Sequence, residues 1–269
     1  MTQACLFLAF FLWAAVPAMA QHTSTKQTAE QKAELVIDAC LAASGGYAYL
    51  DSLAQNLYEK YSVVSNYNNA PNAANWRAVP EVTQHEVYQT RAGKSLSTTT
   101  HVATGSISTL GLNATHAWQV QDGTLLKVDT GLFFSTLQAA AQQYSCLVEP
   151  LRLHPSCRQH PLVWAREDHE ANRAYDVLVD SSGLSVHEYW FDQQTHLLHK
   201  TVKGNGRMHH YTEDYRQLGQ LWVPYKRRMV VQGQPANEIQ YDSIAFPPHL
   251  PDSLFQLPSQ FTDSKAGFK

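Results

Sequence analysis

The side chains with chemistry to offer are thirteen histidines, 23 carboxylates and four cysteines. His187-Glu188 opens the H-E-x-x-H pattern, in which two histidines one helical turn apart hold zinc. Position 191, where the second histidine belongs, is Phe191, and the stretch alternates like a strand rather than turning like a helix. His154-x-x-Cys157-x-x-His160 offers three zinc-type ligands, enough for an open catalytic site but one short of a closed structural one. A zinc-dependent hydrolase built on this chain would use that loop. Gly105-Ser106-Ile107-Ser108 lacks the strained elbow that G-x-S-x-G implies for a nucleophilic serine. Glu167-Asp168 and Glu213-Asp214 are adjacent pairs, and neighbours on a strand point to opposite faces, so neither reads as an acid/base couple. There is no glycine-rich phosphate loop. The chemistry in the sequence points away from catalysis, and no cofactor or metal is expected.

Large apolar and aromatic side chains are abundant instead. Trp118, Phe133, Phe134, Tyr175, Tyr189, Trp190, Phe191, Tyr215, Trp222 and Tyr225 are spread over most of the chain. Aromatics dominate ordinary cores, but in a sheet bent into a half-barrel they can also line an unfilled concave face that takes an apolar ligand. On that reading the lining comprises Trp118, Phe133, Phe134, Leu137, Tyr175, Val177, Trp190 and Trp222, and residues 132–144, which carry a helical period, form a lid. The formal net charge is −3, which argues against nucleic acid, since phosphate binding needs a clustered basic face. The basic run Lys226-Arg227-Arg228 falls inside an expected strand, where alternation divides it between two faces.

These side chains need elements to hold them. Leu6 to Val16 is an uncharged apolar run followed by Pro17 and Ala18-Met19-Ala20, a small-x-small cleavage signal. It is too short to span a bilayer comfortably and reads as a signal peptide over residues 1–20. Residues 21–269 then form a single domain exported to the periplasm. In an oxidising compartment Cys146 and Cys157 are the natural disulfide pair, worth about 3 kcal/mol in the chain-entropy model. Cys40 falls within an amphipathic helix over 28–43, where it reads as a buried hydrophobe, and Gly45-Gly46 stop that helix. A short helical piece over 47–53 leads into a first strand from Leu57. Beyond it, β-like runs recur about every ten residues with turn dipeptides between them, Asp122-Gly123 being the strongest hairpin signal. Strands at this spacing without intervening helices specify an antiparallel sheet. The expected fold is mainly β (α+β): one highly curved antiparallel sheet forming a half-open β-barrel, with a few helices plugging its mouth.

The C-terminal third carries a family likeness. Tyr175-Asp176-Val177-Leu178-Val179 is followed by Tyr189-Trp190-Phe191-Asp192-Gln193-Gln194-Thr195-His196-Leu197-Leu198. Asp214-Tyr215-Arg216-Gln217-Leu218-Gly219 leads to Pro224, and Asp252-Ser253-Leu254-Phe255-Gln256-Leu257-Pro258 closes the series. In this order the segments resemble the outer-membrane lipoprotein-sorting protein family, whose superfamily contains a periplasmic lipoprotein carrier and its outer-membrane acceptor. The resemblance implies a half-open barrel holding acyl chains. It implies a non-catalytic periplasmic carrier or binding protein for a lipid or lipoprotein acyl chain, with envelope membrane proteins as donor or acceptor. The Cys146/Cys157 segment stands apart from that pattern as an insertion. An envelope sensor or scaffold module that binds another protein is the alternative reading, and the zinc-dependent hydrolase is the third.

Overall fold

The computed structural model describes residues 27–261 except 54, 68–75, 132–133, 136–150, 152, 157, 159 and 181–185. The expected signal peptide, Phe133, Leu137, Cys146 and Cys157 lie outside the described residues. The helix expected over 28–43 is α1 (Ala29–Ala43). Thr28 caps it, with its Oγ1 accepting from the Gln31 N–H at 3.2 Å while the Gln31 side chain accepts from the Thr28 N–H at 2.9 Å. This reciprocal box satisfies two donors that a helix start otherwise leaves orphaned. Gly45 and Gly46 follow with φ of 110° and 91°. Gly45 has no room for a side chain, since a Cβ there would lie 2.9 Å from the Gln220 carbonyl oxygen. α2 (Tyr47–Leu53) comes next.

Thirteen strands then form a single antiparallel sheet: β1 (Asn56–Tyr67), β2 (Trp76–Thr90), β3 (Ser95–His101), β4 (Ile107–Leu112), β5 (Ala117–Gln121), β6 (Thr124–Asp129), β7 (Val163–Glu170), β8 (Arg173–Asp180), β9 (His187–Asp192), β10 (Leu198–Lys203), β11 (Met208–Leu218), β12 (Leu221–Val231) and β13 (Gln234–Ala245). Their order is β6-β5-β4-β3-β2-β1-β13-β12-β11-β10-β9-β8-β7. Two meanders therefore run outward from a central seam between β1 and β13, and among the described residues β6 and β7 are the two edges. The sheet does not close.

Its curvature follows from what shares one core. Ile37, Cys40 and Leu41 of α1 pack in one cluster with Leu57 of β1, Tyr241 and Ile244 of β13, Leu221 and Val223 of β12, Leu198 of β10, Phe191 of β9 and Leu178 of β8. Laid flat, β1 and β8 would be about 29 Å apart at ~4.8 Å per strand interval. That exceeds the ~22 Å length of a fifteen-residue helix. A curved sheet brings strands this distant into one core with a single helix. The face turned to α1 is the inner face, and the other is the outer face. The fold matches the sequence-based expectation of a half-open curved sheet with helices in its hollow. Among the described residues no helix is long and apolar enough to cross a membrane.

Candidate ligand site

The site starts at a pairing irregularity. On β10, Leu198 pairs with Phe191 and Lys200 pairs with Trp190, so His199 is an extra, bulged residue. A bulge bends its strand and disrupts the ladder locally. On the other side, the β10–β11 ladder holds only from Lys200↔Tyr211 to Lys203↔Met208, whereas β11 continues to Leu218. The facing wall is irregular as well. Asp214 has φ of 52°, a left-handed conformation unusual for a strand residue, while the β11–β12 register runs unshifted from Glu213↔Lys226 to Tyr215↔Pro224 on either side of it.

Where the two strands part, a cavity of about 650 Å³ opens, lined by Ala43, Arg173, Asp192, Thr195, Leu197, Leu198, His199, Thr212, Glu213, Asp214, Tyr215 and Trp222. Leu198 belongs to the inner-face core and Ala43 is the last residue of α1. Trp222 alternates with the core residues Leu221 and Val223, which puts it on the outer face. The cavity is thus a slot through the sheet, from the outer surface to the end of α1. The Tyr215 hydroxyl bridges its walls, donating to the Leu198 carbonyl at 2.7 Å.

The charges around the slot are matched. Asp192 Oδ1 accepts from the backbone N–H groups of Thr195 (2.8 Å) and Gln194 (2.9 Å), and its Oδ2 from Arg173 (3.3 Å). Burial pushes this carboxyl up, but those donors outweigh it and hold the carboxyl below the ordinary aspartate range. Glu213 accepts from Arg228 at 2.8 Å and Asp214 from Arg216 at 2.6 Å. His199 stacks on Tyr175 with ring centroids 4.8 Å apart and meets Tyr211 edge-on at 5.7 Å. Burial, the largest influence, lowers its pKa and favours the uncharged ring. What remains open to a ligand is the apolar surface of Leu197, Leu198, Ala43, Tyr215 and the half-exposed Trp222.

The residues expected to line a ligand site are distributed as follows. Trp222 lines the slot. Tyr175, Val177 and Trp190 form a small buried cluster with Val202, separate from the inner core. It lies on the outer face, because Leu178 and Phe191, their chain neighbours, face α1. Above it runs a layer of paired charge. Arg166 grips Glu188 through both terminal nitrogens at 3.1 Å, Glu188 also accepts from Trp190 Nε1 at 3.0 Å, and the ammonium of Lys200 sits 3.7 Å from the Trp190 ring centroid while bonded to Glu170. Trp118 is remote from both groups. Its cross-strand row runs Tyr58, Tyr88, Leu96, Gly111, Trp118, and it is 2% exposed. Phe134 is half-buried just beyond β6, where its N–H donates to Asp129 Oδ1 at 3.2 Å.

Sequence reasoning missed His199, Tyr215 and Lys200 as neighbours of a site. No spacing in the sequence announces a bulge at His199. In the His154–His160 loop, His154 stacks on Tyr47 at 3.9 Å and its Nδ1 lies 2.7 Å from the Ser156 hydroxyl. Cys157 lies outside the described residues. Among the described residues no three His, Cys, Asp or Glu side chains are grouped to hold a metal ion. Cys40 is buried, and burial pushes its thiol pKa up to about 12, in keeping with the hydrophobe expected of it.

No protein-family model matches the chain, and no curated protein matches its sequence. Solved structures do match its shape. A LolA superfamily protein from Nitrosomonas europaea is 13% identical, covering 86% of this chain and 99% of that one, with a TM-score of 0.50. A DUF1329 family protein from Desulfovibrio piger is 12% identical, covering 81% and 98%, also at 0.50. The chain shares its fold with these two proteins. The identities are too low to carry more than the fold.

Proposed function

We propose that the protein is a non-catalytic periplasmic carrier or binding protein for a hydrophobic molecule with a linear apolar chain, such as a lipid or a lipoprotein acyl chain. The observation that carries this reading is the slot between β10 and β11. Its volume falls within the ~300–1,000 Å³ of small-molecule sites. Its open surface is mostly apolar, and its charged groups are already paired. Apolar burial at about 25 cal/mol per Å² makes even one acyl chain a ligand worth several kcal/mol. The apolar run with its small-x-small signal at residues 1–20 supports export, and the LolA-type fold supports a carrier. Trp222 is the residue expected to touch the ligand directly, while Tyr175, Val177 and Trp190 shape the slot from behind through His199.

Native mass spectrometry of protein purified from its own envelope, followed by lipid extraction, tests the proposal, together with palmitate titration monitored by tryptophan fluorescence. A co-purifying lipid, or a palmitate-dependent spectral change that disappears in Trp222→Phe, is the expected outcome. An empty protein that takes up no palmitate overturns it.

A further inference from the structure

The two walls of the slot are held from behind. On the sides away from the opening, β10 is laddered to β9 and β11 to β12, so neither strand can move aside without breaking its far ladder. Between them, the β10–β11 ladder runs from Lys200↔Tyr211 to Lys203↔Met208. At Leu198, two residues short of that ladder, a side chain ties the strands: the Tyr215 hydroxyl donates to the Leu198 carbonyl. The main chain of Leu198 also bonds the thiol of Cys40, which is buried on α1 about one turn before Ala43. The Tyr215–Leu198 bridge thus crosses the slot between its outer mouth, where Trp222 stands half-exposed, and its inner end at Ala43 and Leu198.

From this geometry we propose that the Tyr215 side chain is the gate of the slot: its ring swings outward, the bond to Leu198 breaks, and a linear apolar chain passes from the mouth at Trp222 to the end of α1. The proposal rests on the hydrophobic-ligand reading of the slot for the identity of what passes. Two features make the ring the moving part. Tyr215 pairs with Pro224, which alternates with the core-facing Val223 and Tyr225, so the ring projects on the outer face, where it is half-buried. Rotation of a side chain in such a place is fast, whereas parting two laddered strands breaks several backbone bonds at once. The second feature is His199. Its ring is held between Tyr175 and Tyr211, which fixes the bulge that sets β10 apart from β11, and the opening persists whichever way Tyr215 points. Swinging out returns the phenol to water, and the cost is the small net worth of one neutral hydrogen bond. Burial of an acyl chain against Ala43 and Leu198 exceeds that cost. At rest the bridge keeps the mouth shut off from the end of α1.

The test compares the full natural chain with Tyr215→Phe, which keeps the ring and removes the hydroxyl. Palmitate association is followed by stopped-flow tryptophan fluorescence. Alkylation of Cys40 by N-ethylmaleimide reports opening at the inner end without any ligand, read on its peptide by mass spectrometry at several urea concentrations below the unfolding transition. The bridge and a threaded chain compete for one gap. The variant is therefore expected to associate with palmitate about fivefold faster, to release it at the natural rate and to bind it about fivefold tighter. Its Cys40 is expected to react about fivefold faster, at a rate that urea leaves unchanged. If palmitate binds but associates no faster with the variant, or if Cys40 labelling is unchanged or climbs with urea as global unfolding does, the gate fails while the hydrophobic-ligand reading stands. If palmitate binds neither protein and Cys40 labelling accelerates alike at every urea concentration, that reading fails and the gate stands. If palmitate does not bind and labelling is unchanged, both fail.

Discussion

At the scale of single residues, His85 shows how the inner face handles polarity. It projects from β2 onto Tyr61 with ring centroids 4.8 Å apart. Its Nε2 lies 2.8 Å from the Thr83 hydroxyl and its Nδ1 3.1 Å from that of Thr99. A neutral imidazole has one donor and one acceptor, and two hydroxyls can serve both without any charge on the ring. Burial, with the nearby His101 adding to it, brings its pKa down from 6.5 to about 4. In the unfolded chain the ring takes up its proton near the ordinary value, so the unfolded state binds more protons across that interval. The His85 contribution to stability is therefore full above about 6.5 and is lost as the pH falls toward about 4. Urea unfolding across that window should show stability falling with acidity more steeply in the natural protein than in His85→Gln. His199, lowered in the same direction, adds a component of the same sign. Gly111 makes a second residue-scale prediction. The indole of Trp118 lies across it, and a Cβ there would overlap the ring. Gly111→Ala should cost about 1–3 kcal/mol, as over-packing does, measured by the shift in denaturant midpoint. A Trp118→Leu background should recover much of that loss.

Among the elements, the outer-face layer over β7–β11 carries the clearest energetic claim. Lys200 is 5% exposed, while the side chain of its partner Glu170 is 37% exposed. Removing the carboxylate strands a buried ammonium, whereas removing the ammonium releases a carboxylate that water can reach. Glu170→Ala should thus destabilise more than Lys200→Met, by about 1–3 kcal/mol once the partial exposure of Glu170 is discounted. Comparing the two variants in urea checks the order. The elements also mark where the sequence was readable. The β5–β6 hairpin was legible because Asp122 and Gly123, at φ of 47° and 78°, are the residues a tight primed turn demands. The β7–β8 hairpin was not. Its turn is Ala171-Asn172, at φ of 49° and 63°, and alanine in that conformation gives no signal. Its first strand, Val163–Glu170, is an edge strand rich in charge, a common device against unwanted pairing that also erases the apolar alternation. Ser95–His101 was invisible for a similar reason, being almost all Ser and Thr. The candidate site was the least legible part. Alternation divides a strand into two faces without saying which one a helix covers, so Trp190 and Trp222 read as equivalent. Only the His199 bulge, a tertiary feature, makes one of them border an opening.

For the whole molecule, the arrangement of two meanders about one seam sets how the chain can assemble. Every strand pair except β1–β13 joins neighbours in sequence, so each half can form from local contacts. The seam cannot. Of the described strands β1 comes first in the chain and β13 last, and the edge of β1 that receives β13 stays bare until β13 has been made. A long unpaired strand edge on an incomplete sheet is a hazard for aggregation. The central position of β1 therefore gives this protein a vulnerable interval in its biogenesis, during which its early half is best kept from other nascent sheets, and the arrival of β13 ends that interval in one step.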